Sequence, residues 1–529
     1  MKRIDLNSLV DGINYVDDFI IYKDGLTINV CRNECKHMGG RFKGCSRKNV
    51  VECRRHQWKL NMETLRYENP VSLKQDAIPW KIENDQLLLL NDTVDSGKGE
   101  LKSVLNSGEF RIKFYSHACV EILWNDNSFF TDPWMVGPAF TKGWWLSYLP
   151  PKNWLEKLSN CDGIYISHNH SDHMNIPTLR LLVKENPLVK IFVPNFTSSF
   201  CFDVLSSIGF KEVEVLNFNE EIYINDMKFT LYEDTTGRDD SAILLNYKGC
   251  KILNTVDCKN IKSYDIDGVD ILLSEFSSGA SGYPVCWNEQ YDDEHISSVL
   301  TKNRNQIKKN IVDTIRHFNP KVFVPFAGYF SELYESDYNI KNINIKNSAE
   351  DINTFVERKF PLLNTWLPKP GKELDLFDLS SKDYTGDHFV DLERSVYADE
   401  YKHGDHIRLF DDIEAFQKYF NVTEYTSDLL LHIVEMDENF SNVYNEFYVD
   451  FNKQMVVNVR PDRHKRYLRI KVRSDVFRYV LFHGLPWEEF SIGFQARFYR
   501  EPDNYNLDFW DYFQNELPTK KLKEIFKNV

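Results

Sequence analysis

Two pairs of metal-binding residues constrain this chain more than any other stretch: Cys35-x-His37, then fifteen residues, then Cys53-x-x-His56. Two thiolates and two imidazoles in that order suit a [2Fe–2S] centre. Cysteine holds one iron and histidine the other, which raises the potential above that of an all-cysteine cluster. The same four residues could in principle bind one zinc tetrahedrally. One-residue spacing in the first pair favours a histidine that reaches a second metal over two ligands on a single ion. Gly39-Gly40 follow directly, and glycines let a ligand loop bend tightly. Electron transfer is the chemistry this implies.

The ligand order is that of a Rieske centre. A second motif, Ser167-His168-Asn169-His170-Ser171-Asp172-His173, comes straight after the apolar run Gly163-Ile164-Tyr165-Ile166. A buried strand ending in H-x-H-x-D-H is the metal-binding loop of the metallo-β-lactamase fold. His168 and His170 would face one metal position, and Asp172 and His173 a second. Burying three imidazoles and a carboxylate without partners is costly, so core packing does not explain them. A later carboxylate should bridge or complete the site. Asp257 fits, closing the apolar strand Cys250-Lys251-Ile252-Leu253-Asn254-Thr255-Val256-Asp257.

At 529 residues the chain has room for two to four domains. Its 42% apolar and 14% aromatic content excludes disorder. No apolar run reaches the ~18 residues of a membrane span, and the N-terminus lacks a signal-peptide core. Ten cysteines without paired spacing predict a thiol-reducing, cytoplasmic setting rather than a disulfide framework. The net charge of −15 disfavours non-specific nucleic-acid binding. Residues 31–60 nevertheless carry nine Lys or Arg against Glu34 and Glu52. Such a basic island would steer an acidic electron-donor protein, or serve as a solvated face offsetting cluster charge.

Short strands and turns over residues 1–95 predict a small all-β domain presenting two ligand loops. The polar, glycine-bearing stretch from Asn91 starts a linker that runs through 96–108. From Phe110, strands alternate with helices. Ile112–Tyr115, Lys190–Pro194, Val269–Leu273 and Lys321–Pro325 read as strands, and Pro177–Val183 as a helix with proline in its first turn. That pattern predicts a layered αβ/βα domain over 109–350. An α+β C-terminal region, 351–529, contains a helix near Asp411–Phe420 and a strand near Phe447–Phe451, and could pack on the catalytic domain.

Less generic segments connect the two motifs: Asp132-Pro133-Trp134-Met135-Val136-Gly137-Pro138, Lys251–Cys258, Ser278-Gly279-Ala280-Ser281-Gly282-Tyr283-Pro284, Pro325–Phe330 and Trp487–Arg497. With them the chain resembles, over nearly its full length, the CMP-N-acetylneuraminate hydroxylase family. The resemblance implies an iron-dependent monooxygenase that converts CMP-N-acetylneuraminate to CMP-N-glycolylneuraminate with O2. It implies cluster ligands at Cys35, His37, Cys53 and His56, non-haem Fe2+ at the second site, and reduction by a cytochrome b5-like protein with its reductase. Gly40 stands where respiratory Rieske proteins carry a cysteine, so their tethering disulfide is absent and a lower potential is expected.

One departure matters. Family members carry a histidine ahead of the Lys251–Asp257 strand, as third ligand of the first metal position, and here Thr236 occupies that place. Asp234, Asp239 or Asp240 could substitute. Nor does a histidine occupy Pro325–Phe330, where hydrolases of the fold place their last ligand. His168, His170 and Asp257 alone make the two-imidazole, one-carboxylate set of O2-activating Fe(II) sites. Asp172 and His173 then either orient ligands or join Asp257 around iron. His117, after a strand, could approach the site, though a hydrogen-bonded structural role is the favoured reading. Lys142, Arg238 and Arg497 are candidate cations for an acidic sugar nucleotide. Trp144 or Trp145 could stack on its base, and Ser278–Gly282 could hold its phosphate. The alternative activity is a metal-dependent hydrolase of a sugar nucleotide that keeps its Rieske domain for structure or regulation.

Overall fold

The computed structural model describes residues 2–25, 27–36, 40–54, 57–68, 74–75, 77–78, 80–83, 86–89, 105–258, 260–261, 266, 268–332, 337–383, 413–462, 464–515, 517 and 522. His37 and His56, and the expected linker up to residue 104, lie outside them.

The N-terminal residues form three antiparallel sheets. Gly12–Val16, Phe19–Asp24 and Thr27–Arg32 make one, and Phe42–Gly44, Val50–Cys53, Lys59–Asn61 and Arg66–Tyr67 a second. Lys2–Asp5, Gln86–Leu89 and Trp80–Glu83 make the third. Alternation sends Ile20, Tyr22, Val51 and Leu60 into a common core that also encloses Cys35 and Cys53. Backbone bonds close the two cysteine loops: Cys35 N donates to Gly40 O (2.7 Å) and Cys53 N to Trp58 O (2.7 Å). The all-β expectation for this region agrees with its architecture.

Two large sheets pack face to face in the next unit. The first runs in the order 213–216, 191–194, 163–165, 127–131, 119–124, 110–116, 372–375, 381–383. The second runs 221–224, 227–233, 241–247, 250–254, 271–275, 322–326, 364–365. Phe110, Ile112, Phe114 and Ile122 of one sheet meet Phe229, Leu231, Leu245 and Leu272 of the other. Helices Trp154–Ser159, Ile176–Glu185 and Phe200–Ile208 cover the outside of the first sheet through Leu158, Leu179 and Leu205. Helices Asp293–Phe318 and Ala349–Lys359 cover the second through Ile315 and Ile352. This is the expected αβ/βα layering. It extends past residue 350, because strands Asn364–Thr365, Lys372–Asp375 and Ser381–Asp383 complete both sheets.

The last described unit is a five-stranded sheet, ordered 455–457, 443–450, 429–436, 466–473, 496–501, with a parallel central pair. Helices Ile413–Thr423, Ser474–His483, Glu488–Ile492 and Leu507–Phe513 pack on it through Phe416, Phe477, Phe490 and Phe509. That core continues without a break into Trp134, Phe140, Trp144 and Phe330 of the layered unit. Buried Arg473 joins the two by a bidentate pair with Asp337, both bonds 2.9 Å. Among the described residues no helix is long and apolar enough to cross a membrane.

The tightest contact between these units is backbone on backbone. A Cβ on Gly143 would collide with the carbonyl of Gly493, and one on Gly493 with the carbonyl of Phe140. Gly493→Ala should therefore cost about 1–3 kcal/mol or more in stability, read as a lowered urea midpoint. An unchanged midpoint would show that the crossing bears no load.

Candidate metal centre

The H-x-H-x-D-H loop emerges from strand Gly163–Tyr165, between its parallel neighbours Asn127–Thr131 and Ile191–Pro194. Its partner is Asp132, the residue after the 127–131 strand. Asp132 N donates to Tyr165 O at 2.8 Å. The buried carboxylate accepts from Ser167 N (2.7 Å) and Ser167 Oγ (2.8 Å), and its Oδ2 lies 3.0 Å from His173 Nδ1. Ser167 Oγ also reaches His168 Nδ1 at 2.9 Å. Beyond the loop, Asn175 caps helix Ile176–Glu185 by accepting from Thr178 N (3.0 Å), with Pro177 in the first turn.

These bonds sort the imidazole nitrogens. His168 is held through Nδ1 and His173 through Nδ1, while His170 Nε2 faces Glu488 Oε2 at 3.2 Å. The opposite nitrogens turn inward, with His168 Nε2 and His170 Nδ1 2.9 Å apart. Asp240 Oδ1 stands 3.7 Å from His168 Nε2. His173 Nε2 lies 3.5 Å from Asp172 Oδ2 and 3.7 Å from Asp257 Oδ2. His117 Nε2 lies 3.1 Å from Asp172 Oδ2. The donor atoms fall into groups able to hold an ion: His117, Asp172 and His173 in one, and His168, His173 and Asp257 in another. Asp257 adjoins both, through the shared His173.

Buried polar atoms without partners test whether such a cluster suits a cation. Among the described residues twelve buried side-chain N or O atoms lack a hydrogen-bond partner, and three of them are His117 Nδ1, Asp172 Oδ1 and His173 Nε2. Native interiors leave few such atoms, so their concentration here fits a site that a metal completes. Charges point the same way. Burial, then the neighbouring His173 and His170, push His168 well below the ordinary histidine range. Burial opposes charge on His173, but Asp172, Asp257 and Asp132 hold it well above that range. Burial also opposes charge on His170, yet the Glu488 carboxylate raises it to about 9. Asp172 is held low against its burial by His173 and His117. A divalent cation would compete with protons for these donors.

His168, His170, Asp172, His173 and Asp257 thus come together. The structure adds three residues that the motifs did not assign. His117 hydrogen-bonds Asp172 and stands within the cluster. It sits at the turn after strand Phe110–Ser116, beside Trp134, Trp144 and Phe330, with one nitrogen on Asp172. Asp240, one of the three acids considered, approaches the first position, 3.7 Å from His168 Nε2. Thr236 Oγ1 is buried without a partner, and Asp234 accepts from Thr236 N instead. Glu488 comes from the C-terminal region.

The proposed substrate-binding residues fare unevenly. Lys142 is buried against Asp475 (3.4 Å), and Arg497 lies over Phe440 and pairs with Asp337. Trp144 is buried and stacked on Phe330 at 3.5 Å, which leaves no face for a base. Trp145 is half-buried, donating to Lys142 O. Gly279 O accepts from Asn344. Arg238 is exposed, and its guanidinium lies in the field of Asp240 and Glu488 beside the centre. In the N-terminal unit three cations of the basic island are paired: Arg41 with Asp18, Lys43 with Glu52 and Arg47 with Glu68. Lys36, next to Cys35, reaches Asn260 Oδ1 at 3.5 Å. Asn260 in turn is bonded to Thr235.

Residues 111–252 match the model of the beta-lactamase superfamily domain. Among solved structures, CmlA, a diiron beta-hydroxylase from Streptomyces venezuelae, aligns at 17% identity and a TM-score of 0.34, covering 52% of this chain and 54% of that one. A possible metal-dependent hydrolase from Veillonella parvula aligns at 13% and 0.35, covering 50% and 99%. Curated relatives match far more completely. The cytidine monophosphate-N-acetylneuraminic acid hydroxylase of Danio rerio is 33% identical over 98% of this chain and 93% of its own length. Those of Xenopus laevis and Asterias rubens are each 34% identical, over 98% and 97% of this chain and 93% and 85% of theirs. The chain belongs to the cytidine monophosphate-N-acetylneuraminic acid hydroxylase family.

Proposed function

We propose that this chain is an iron-dependent monooxygenase that hydroxylates the N-acetyl methyl of CMP-N-acetylneuraminate to give CMP-N-glycolylneuraminate. The observation that carries the reading is a largely buried cluster of four histidines with Asp172, Asp240 and Asp257, in a chain that its hydroxylase relatives match almost end to end. In this reading His168, His170 and Asp240 would hold one ion and His117, Asp172 and His173 a second, with Asp257 as a further ligand. Mixed imidazole and carboxylate sets of this kind suit iron with open positions. Bound there, iron supplies the activation of O2. The protein holds the acyl methyl beside the centre and keeps water out, with Trp134, Trp144 and Phe330 as an apolar wall around His117. Exposed Arg238, in the field of Asp240 and Glu488, would receive an anionic group of the sugar nucleotide.

Electrons enter through a Rieske [2Fe–2S] centre on Cys35, His37, Cys53 and His56. Burial of both cysteines in one small β core, at the bases of two closed loops, supports this assignment. A cytochrome b5-like protein with its reductase is the proposed donor. None of the ten cysteines forms a disulfide, which suits a cytoplasmic setting.

Iron-loaded protein given CMP-N-acetylneuraminate, a reductant and ¹⁸O2 should place one heavy oxygen in the acyl group, read by mass spectrometry. Release of free CMP without label would mean hydrolysis instead. Cys53→Ser should abolish the EPR signal of the reduced cluster while the second site keeps its metal. His117→Ala and Asp240→Ala should each lower metal content at that site from about two ions towards one. Unchanged metal content in either variant would remove that residue from the centre.

A further inference from the structure

Each imidazole of the H-x-H-x-D-H loop is held from behind, but the holder of His170 comes from a different part of the chain. Ser167 and Asp132, which fix His168 and His173, belong to the layered unit. Glu488 opens the helix Glu488–Ile492 of the C-terminal unit, and places Oε2 3.2 Å from His170 Nε2. His170 Nδ1 meanwhile faces His168 Nε2. Metal-binding histidines characteristically donate their other N–H to a carboxylate, which sets tautomer and ring orientation.

We propose that Glu488 is the positioning residue for His170. It accepts the Nε2 proton, leaves Nδ1 for the ion, and so makes the first metal position depend on the docked C-terminal unit. This rests on the metal-centre reading above. The surrounding contacts fix the backbone of the helix that carries Glu488. Gly493, just past the helix, is jammed against Phe140 O. Thr141 Oγ1 donates to Glu489 O (3.1 Å), and Trp144 Nε1 to Ile492 O (3.2 Å). Glu489 acts elsewhere, on the Ser171 side chain. Its Oε2 accepts from Ser171 Oγ (3.1 Å), which itself accepts from Phe140 N (2.7 Å). The ring of Phe140 stands edge-on to His170 at 5.5 Å. Adjacent acids thus divide the work, Glu489 on the loop and Glu488 on the imidazole.

The test uses the full chain, stripped of metal and given Co(II), with Glu488→Gln and Glu488→Asp. Chelator competition should show Glu488→Gln weaker for Co(II) by about 10–100-fold. Its high-spin Co(II) EPR spectrum should change while the metal-free melting temperature does not. Glu488→Asp, which keeps the charge, should recover part of the affinity. Unaltered affinity and spectrum in Glu488→Gln overturn the positioning role. Weaker binding that merely tracks a lowered metal-free melting temperature, with the spectrum intact, also overturns it and leaves a packing contact. An unsubstituted chain that takes up no Co(II) overturns the metal-centre reading itself, and this inference with it.

Discussion

One buried carboxylate organises the centre. Asp132 has no exposure to solvent, and an ionised group in that position must find donors within the protein. It finds them in the loop that follows the neighbouring strand: the Ser167 amide, the Ser167 hydroxyl and His173. Satisfying Asp132 therefore shapes the H-x-H-x-D-H loop, since Ser167 passes the constraint on to His168. The layered fold brings the ends of parallel strands together, and this carboxylate converts that proximity into a defined set of inward-facing nitrogens.

The C-terminal unit belongs to the same construction. Its aromatic core runs into the layered unit through Trp134, Phe140 and Trp144. These aromatics also stand near the imidazoles: Trp134 and Trp144 beside His117, Phe140 beside His170. Packing energy and site geometry are consequently drawn from the same side chains. Gly143 and Gly493 let the two backbones approach to a distance that no side chain would permit. Buried Arg473, paired with Asp337 across the same boundary, adds an orientation-dependent contact to a largely apolar one.

The sequence made the loop from His168 to His173, the layered class and Asp257 legible, because each is local: an apolar strand that ends in ligands reads as such without a fold. The C-terminal limit of the layered unit was less legible. Strands Asn364–Thr365 and Lys372–Asp375 are short, and acquire meaning only as edges of sheets begun far upstream. The place of His117 was open in the sequence, since a lone histidine after a strand carries no periodic signal. The turn between strands 110–116 and 119–124 is what carries it to Asp172. Asp240 was one acid among three, and only the backbone path after strand Met227–Glu233 separates it from Asp234. Glu488 had no local signal beyond a pair of acids ahead of apolar residues. Trp144 looked like a surface for a base, and packing against Phe330 absorbed it.

The contact between Lys36 and Asn260 carries a kinetic consequence. Lys36 adjoins Cys35, and Asn260 sits three positions after Asp257 in the chain. In the proposed reading, source and recipient of the electron are then neighbours on one polypeptide, at an effective concentration set by the fold and not by diffusion. In that reading dilution would leave the transfer untouched and would slow only the encounter with an external donor.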